Sequence, residues 1–225
     1  PTPTNAELQD PSYFVNPRFT VPKSEVADKI KTINWPYNWF FSYRLITLSV
    51  NERTTIASVL PYCAVGNSGP LIFFENQNLV DIVCGFGSFN SLVFDYISRQ
   101  KVGGTNFSFF VFYQLPILPK TKITKSILSF IVPRIGELTY TSWDIKAFAD
   151  DVWKEADADL RAAIQQQWEA NHSATGGHEW TPPDWCEIDT EGCPLPPFKW
   201  DEERRAVLKA ELDAIYAKLY GLTTE

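Results

Sequence analysis

At 225 residues, with 44% apolar and 15% aromatic side chains, the chain carries enough material for a sizeable hydrophobic core, and we read it as globular and not disordered. A formal net charge of −7 excludes a plainly basic nucleic-acid binder, and no apolar run approaches the roughly 18 residues needed to cross a bilayer. Four cysteines, Cys63, Cys84, Cys186 and Cys193, are too few and too scattered for a disulfide scaffold.

The charge is unevenly spread. Residues 1–150 hold 13 Lys and Arg against 11 Asp and Glu, a net of +2, whereas residues 151–225 hold 7 against 16, a net of −9. The acid belongs to the tail, and a nearly neutral body can still bind DNA if its cations share a face. The opening PTPTNAELQD lacks the basic and apolar regions of a signal peptide, so a cytoplasmic location and no membrane partner are expected. A chain that starts at proline and contains no methionine reads as an excised piece of a longer protein.

Prolines and short polar runs make residues 1–36 an irregular lead-in, with Ser24 capping a short helix over 25–31. Residues 39–50, WFFSYRLITLSV, have the aromatic and β-branched density of a strand, and Thr54 to Leu60 forms a second element beyond Asn51, Glu52 and Arg53. Arg44 and Arg53 interrupt these runs, as structural partners of Glu52 or Asp95 or as contacts to phosphate or base. VGNSGP at 65–70 is a turn, and Leu71 to Phe74 a further short strand.

LVDIVCGFGSF follows, in which Asp81, Gly85, Gly87 and Phe89 match the spacing D-x3-G-x-G-x-F of an S-adenosylmethionine loop. The match is a decoy. Its glycines lead into a helix, and the nearest approach to a [DNS]-P-P-[FYW] motif, Thr181-Pro182-Pro183-Asp184, puts an acid where an aromatic is needed to stack the target base.

Leu92, Val93, Tyr96 and Ile97 fall on one helical face, which predicts a helix over about 90–100. Gly103 and Gly104 supply backbone freedom at its end, and Phe107 to Tyr113 is suited to a buried strand stopped by Pro116 and Pro119. The polar turn between them, Arg99, Gln100, Lys101, Thr105 and Asn106, is displayed as a recognition loop is displayed. Lys120, Lys122 and Lys125 come next, either a solvated helix start or phosphate clamps brought near Lys101 by the strand, and then a helix over 126–132. LTYTSWDIKAFADDVW turns the chain into a helical region, in which Asp151 to Trp168 is amphipathic with an acidic face. A loop over about 170–199 contains His172, His178, Cys186 and Cys193, spaced H-x5-H-x7-C-x6-C; structural zinc sites show tighter pairs, so ordinary loop residues are the default and no metal is assigned. Asp201 caps a last helix with Leu208, Leu212, Ile215 and Leu219 on one face and Gly221 at its end. No nucleophile elbow, phosphate loop or metalloprotease helix is present, and catalysis is not expected of this chain by itself.

SYRLIT, NERTTIASVLP, FNSLVFDYISRQKVGGTNFSFFVFYQLPILP, ELTYTSWDIKAFA and FKWDEERRAVLKAELDAIYAKLYGLT together resemble, in this order, the carboxy-terminal region of single-chain adenine-specific DNA methyltransferases of restriction-modification and phage-defence systems related to Eco57I. The resemblance covers most of residues 37–222. It departs at Leu45, where members carry an acid, and in a longer loop over about 170–197. What it implies is a mixed α+β fold: a target-recognition sheet with packed helices over 37–142, followed by a helical acidic region over 143–225.

It also implies a division of labour. S-adenosylmethionine and methyl transfer belong to an upstream catalytic domain of the parent chain, with or without an added endonuclease activity, and this region reads double-stranded DNA. No cofactor is then expected within these residues. Arg53, Lys101, Thr105, Asn106, Lys120 and Lys122 are the candidate contacts, cations holding phosphates and polar side chains reading base edges. A protein-docking module built on the acidic tail and Trp-rich loop is the alternative, and an enzyme acting through the Asp81 to Phe89 loop is a third reading.

Overall fold

Trp39–Tyr43 forms β1, and all five of its side chains are buried. A strand covered on both faces reads as a near-continuous apolar run, which is why WFFSY shows little alternation. It pairs antiparallel with β2, Ala57–Pro61, on one side and with β3, Leu71–Ile72, on the other, in the order β2-β1-β3. Phe41 lies opposite Val59 in one pairing and Ile72 in the other. The computed structural model describes residues 2–15, 17, 19–74 and 78–222.

The strand expected over 39–50 ends at Tyr43, because the chain then changes partners. Arg44 N–H still donates to the Ile56 carbonyl and Leu45 N–H to Ser68, but the Leu45 carbonyl accepts from Phe107 N–H at 2.7 Å and Thr47 N–H donates to Thr105 at 3.0 Å. Ile46 and Asn106 form an isolated antiparallel bridge. The second element correspondingly starts at Ala57 and not at Thr54, and β3 is shorter than 71–74.

Two helices precede the sheet. α1 is Asn5–Gln9, closed by a capping box between Thr4 and Glu7, and α2 is Lys23–Lys31, which starts after Pro22 with no side-chain cap, so Ser24 lies inside the helix it was expected to cap. After the sheet, α3 spans Leu79–Gly87 under an Asn78 cap, and α4 spans Leu92–Lys101 under Ser91, whose hydroxyl accepts from Phe94 N–H. The glycines of the apparent cofactor loop thus sit within α3. A Cβ on Gly87 would run into Ile135 and the Tyr216 hydroxyl, so glycine here sets how closely the helix approaches its neighbours.

The expected strand over 107–113 is a single helical turn, α5, Phe109–Phe112. Strand alternation would put Phe107, Phe109, Val111 and Tyr113 on one face, yet Phe107 is 0% exposed while Phe109 and Tyr113 are open to solvent. Phe107 and Phe112 instead share the inner side, both packed on Tyr43. Gly103 and Gly104 do not enter the left-handed region; Val102 closes α4 in an extended conformation.

α6, Lys125–Thr139, runs on past the expected end at Val132 because Pro133 is absorbed inside it, the burial of Ile131, Val132, Pro133 and Ile135 outweighing the lost backbone bond. The helical region expected around 151–168 holds two helices, α7 at Lys146–Glu155 and α8 at Ala158–Ala174, the second started by the Asp157 cap. α9 is Glu202–Leu219 with the expected Asp201 cap. It ends as expected at Gly221, at φ 86°, with Gly221 N–H bonded to Lys218 and Leu222 N–H to Ala217, the paired bonds of a Schellman motif. Tyr216, wholly buried, belongs to its inner face ahead of the half-buried Ile215.

The fold is mixed α+β. A single buried cluster runs from Trp35 to Leu219, with α3 packed on α6 and α7, α6 on α8 and α9, and α4 on α9. Glu137 ties α6, α8 and α9 together: its carboxylate accepts from Arg204 Nε and Nη2, from Asn171 Nδ2 at 2.9 Å and from Gln167 Nε2 at 2.6 Å. Among the described residues no single helix is long and apolar enough to cross a membrane.

Candidate nucleic-acid interface

α4 is the platform. The face expected to be apolar is not its inner one: Leu92 and Tyr96 are exposed and Val93 and Ile97 only half-buried, whereas Phe94 enters the core and Asp95, Ser98 and Arg99 face the segment 44–56, whose backbone they bind. Asp95 is 2% exposed; its Oδ1 accepts from Thr54 N–H at 2.7 Å and Thr55 N–H at 2.8 Å, and its Oδ2 from Arg99 Nε at 2.8 Å. Arg99 then reaches across the loop to the carbonyls of Ser49, at 3.2 Å, and Glu52. Ser98 and Thr55 hydroxyls meet at 2.6 Å, and the Asn90 amide takes both backbone groups of Ala57 at 2.9 Å, in the manner of a neighbouring strand. Charge-assisted bonds to buried backbone groups are the strong kind, so a loop without regular structure is fixed in one shape.

That loop and the turn after α4 present one continuous surface. The 45–47 segment is bonded to 105–107, which places exposed Thr105 and Asn106 beside exposed Ile46 and Leu48. Lys101 is the exposed last residue of α4 and makes no ion pair or hydrogen bond among the described residues. Three candidate contacts, Lys101, Thr105 and Asn106, therefore share one turn. Arg53 lies on the same loop but turns inward: its Nη2 is 3.4 Å from Asp213 of α9, and its backbone carbonyl accepts from Arg44 Nη2 at 3.1 Å. Of the partners expected for Arg53, Asp95 gives its carboxylate to Arg99, and Glu52 meets Arg99 only through its backbone carbonyl; Arg53 pairs with neither.

Lys120 and Lys122 are placed elsewhere. With no strand over 107–113 to carry them toward Lys101, they form a short 3-10 turn against α3 and α9. Lys120 Nζ is 2.6 Å from Asp81 Oδ2, and Lys122 Nζ donates at 3.0 Å to the Leu219 carbonyl, closing the negative end of α9. Lys125 pairs with Asp157 at 2.8 Å.

A sequence signal bearing on this face lies in what is missing. From Tyr96 to Gly136 there is no Asp or Glu, against six cations, Arg99, Lys101, Lys120, Lys122, Lys125 and Arg134. Acids from outside the stretch, Asp95, Asp81, Asp157 and Glu211, neutralise four of them. Lys101 and Lys122 are left over, and among the described residues only the Lys101 side chain makes no ion pair or hydrogen bond. The supporting residues Asn90, Asp95, Ser98 and Arg99 carry the helical spacing that would have flagged them, three of them within one turn on a single side of α4.

The histidine and cysteine loop is built differently. His172 and His178 lie 5.1 Å apart between Trp168, stacked on His172, and Trp180, 4.4 Å from His178. Cys193 is buried beside the Lys146–Asp150 ion pair, its N–H donating to Asp150 Oδ1 at 2.7 Å and its carbonyl accepting from Lys146, and burial pushes its thiol up to about 11. Among the described residues no group of three His, Cys, Asp or Glu side chains is placed to hold a metal. No family model, curated protein or solved structure matches this chain.

Proposed function

We propose that this chain is the DNA-reading module of an adenine-specific DNA methyltransferase of a restriction-modification or phage-defence system, working with a catalytic, S-adenosylmethionine-binding domain elsewhere in its parent chain and with double-stranded DNA. The observation that carries the reading is the turn 101–106, an exposed polar segment with a lysine that has no ion pair among the described residues, mounted on a loop that α4 fixes through Asp95 and Arg99. Recognition surfaces need such preorganisation, because a side chain that reads a base edge must be held in register with the groove. Lys101 supplies a phosphate contact, Thr105 and Asn106 supply donors and acceptors, and Arg53 acts by holding the loop against α9.

Titrating the protein with fluorescent duplex DNA between about 50 and 200 mM salt tests this. Affinity is expected to fall as salt rises, and Lys101→Ala to weaken binding and reduce the slope of log K against log salt by about 1. A protein that binds no duplex at the lowest salt contradicts the reading. The docking alternative draws on exposed Trp185 and Ile188 in the acidic 184–191 segment, and it predicts no salt-sensitive DNA binding.

A further inference from the structure

α5 leaves its rings outside. Phe110 is 77% and Tyr113 85% exposed, while Phe112 between them stacks on Tyr43 at 4.9 Å and an interplanar angle of 18°. The turn is firmly placed, because Phe107 and Phe112 anchor it from below, Phe112 N–H and Tyr113 N–H close its backbone, and the Gln114 amide donates back to the Phe110 carbonyl at 3.0 Å. Phe110 and Tyr113, the most exposed of its rings ahead of Phe109 at 56%, are thus held out by a rigid base and are not loose chain.

Their surroundings narrow the partner. The turn stands at the middle of the stretch from Tyr96 to Gly136 that holds no acid, and it follows directly on the turn with Lys101, Thr105 and Asn106. Rigid rings in a stretch whose own charges are all positive suit a partner that offers flat π faces along a line of anions, and nucleic acid is that partner. We propose that Phe110 and Tyr113 form a stacking ridge that engages bases at an opened or easily unstacked step of the DNA whose phosphates Lys101 meets; this rests on the DNA-reading function above. An aromatic wedge at a base step gains most where pairing is already weak, so such a ridge favours distorted over fully paired duplex.

The test compares the full chain on two duplexes of mixed sequence, one fully paired and one with a central two-base mismatch, at about 50 mM salt. The mismatched duplex is expected to bind about 10-fold more tightly. Changing Phe110 and Tyr113 together to Ala should abolish that preference and leave binding of the paired duplex salt-dependent, whereas Lys101→Ala should weaken both duplexes alike. Both rings are exposed, and an unchanged thermal melt of the double variant verifies that its fold is intact. Equal binding of the two duplexes, or a preference that survives the double substitution, overturns the stacking ridge and leaves the DNA reading standing. Failure to bind either duplex overturns both.

Discussion

Asp95 and Glu137 are each 2% exposed and each accept several hydrogen bonds, yet they hold very different things. Glu137 gathers side chains, Arg204, Asn171 and Gln167, from helices that already bury large apolar faces. Asp95 gathers backbone, the Thr54 and Thr55 amides, and through Arg99 the carbonyls of a segment with no regular structure. The first carboxylate reinforces a packed core; the second gives shape to a surface. A surface whose shape rests on a few charge-assisted bonds is held firmly while they stand, and a single substitution can release it.

The largest consequence is expected at Glu137. Its replacement by Ala leaves the half-buried Arg204 guanidinium and the buried Asn171 amide without their carboxylate at the junction of α6, α8 and α9 and should lower global stability by about 3–5 kcal/mol, read from urea unfolding. Asp95→Ala orphans two buried amides and frees Arg99, at roughly 2–4 kcal/mol. Its signature differs: amide exchange over 44–56 should accelerate well beyond that of α6 and α9. If exchange in the two regions rises together, the contrast between core lock and loop lock is wrong.

Gly87→Ala sharpens the comparison from the core side. A methyl there meets Ile135 and the Tyr216 hydroxyl, itself bonded to the Cys84 carbonyl at 2.7 Å, and should cost about 1–3 kcal/mol in the same unfolding measurement, with DNA binding unaltered at low denaturant.

A smaller, pH-dependent term sits in the 176–200 loop. Burial first, then the neighbouring His172 and Lys199, hold the His178 imidazole below its ordinary value of 6.5, against a Pro197 carbonyl that favours the charged form. The unfolded chain therefore binds this proton more readily. The contribution of His178 is complete above pH 6.5 and declines as the pH falls from there toward the folded-state value. His178→Phe should flatten the melting temperature across that window; an unchanged slope would assign the acid sensitivity to other groups. The smallest effect is expected at Gly103 and Gly104, where nothing stands within 4 Å of a built Cβ and φ is negative, so Ala at either should shift stability by no more than about 0.5 kcal/mol.

What the sequence made legible follows from which interactions are local. The α9 helix, the Asp201 cap and the Gly221 stop are written in a few neighbouring residues and lie where the pattern places them, whereas α4 has the expected span but turns inward the Phe94, Asp95 and Ser98 side, because its polar groups bind a backbone distant in sequence. The segments 44–50 and 107–113 have strand composition, but their conformation is decided by each other: once Leu45 and Thr47 pair with Phe107 and Thr105, too little backbone remains for a longer ladder, and Ser108 starts a helical turn instead. Pro133 stopped the reading of α6 early for a similar reason, since the helix is kept by partners distant in sequence. In the candidate site, Lys101, Thr105 and Asn106 were legible as one exposed turn. The engagement of Lys120 with Asp81 and of Lys122 with the end of α9 was not, because both partners arrive through tertiary packing.

Amide hydrogen exchange of the intact protein, with and without saturating duplex DNA, tests most directly the claim that the surface shaped by Asp95 reads DNA. The account predicts that DNA slows exchange over 44–56 and 101–113 and leaves 176–200 unchanged. Protection confined to 176–200, or no protection anywhere with DNA in excess, would contradict it.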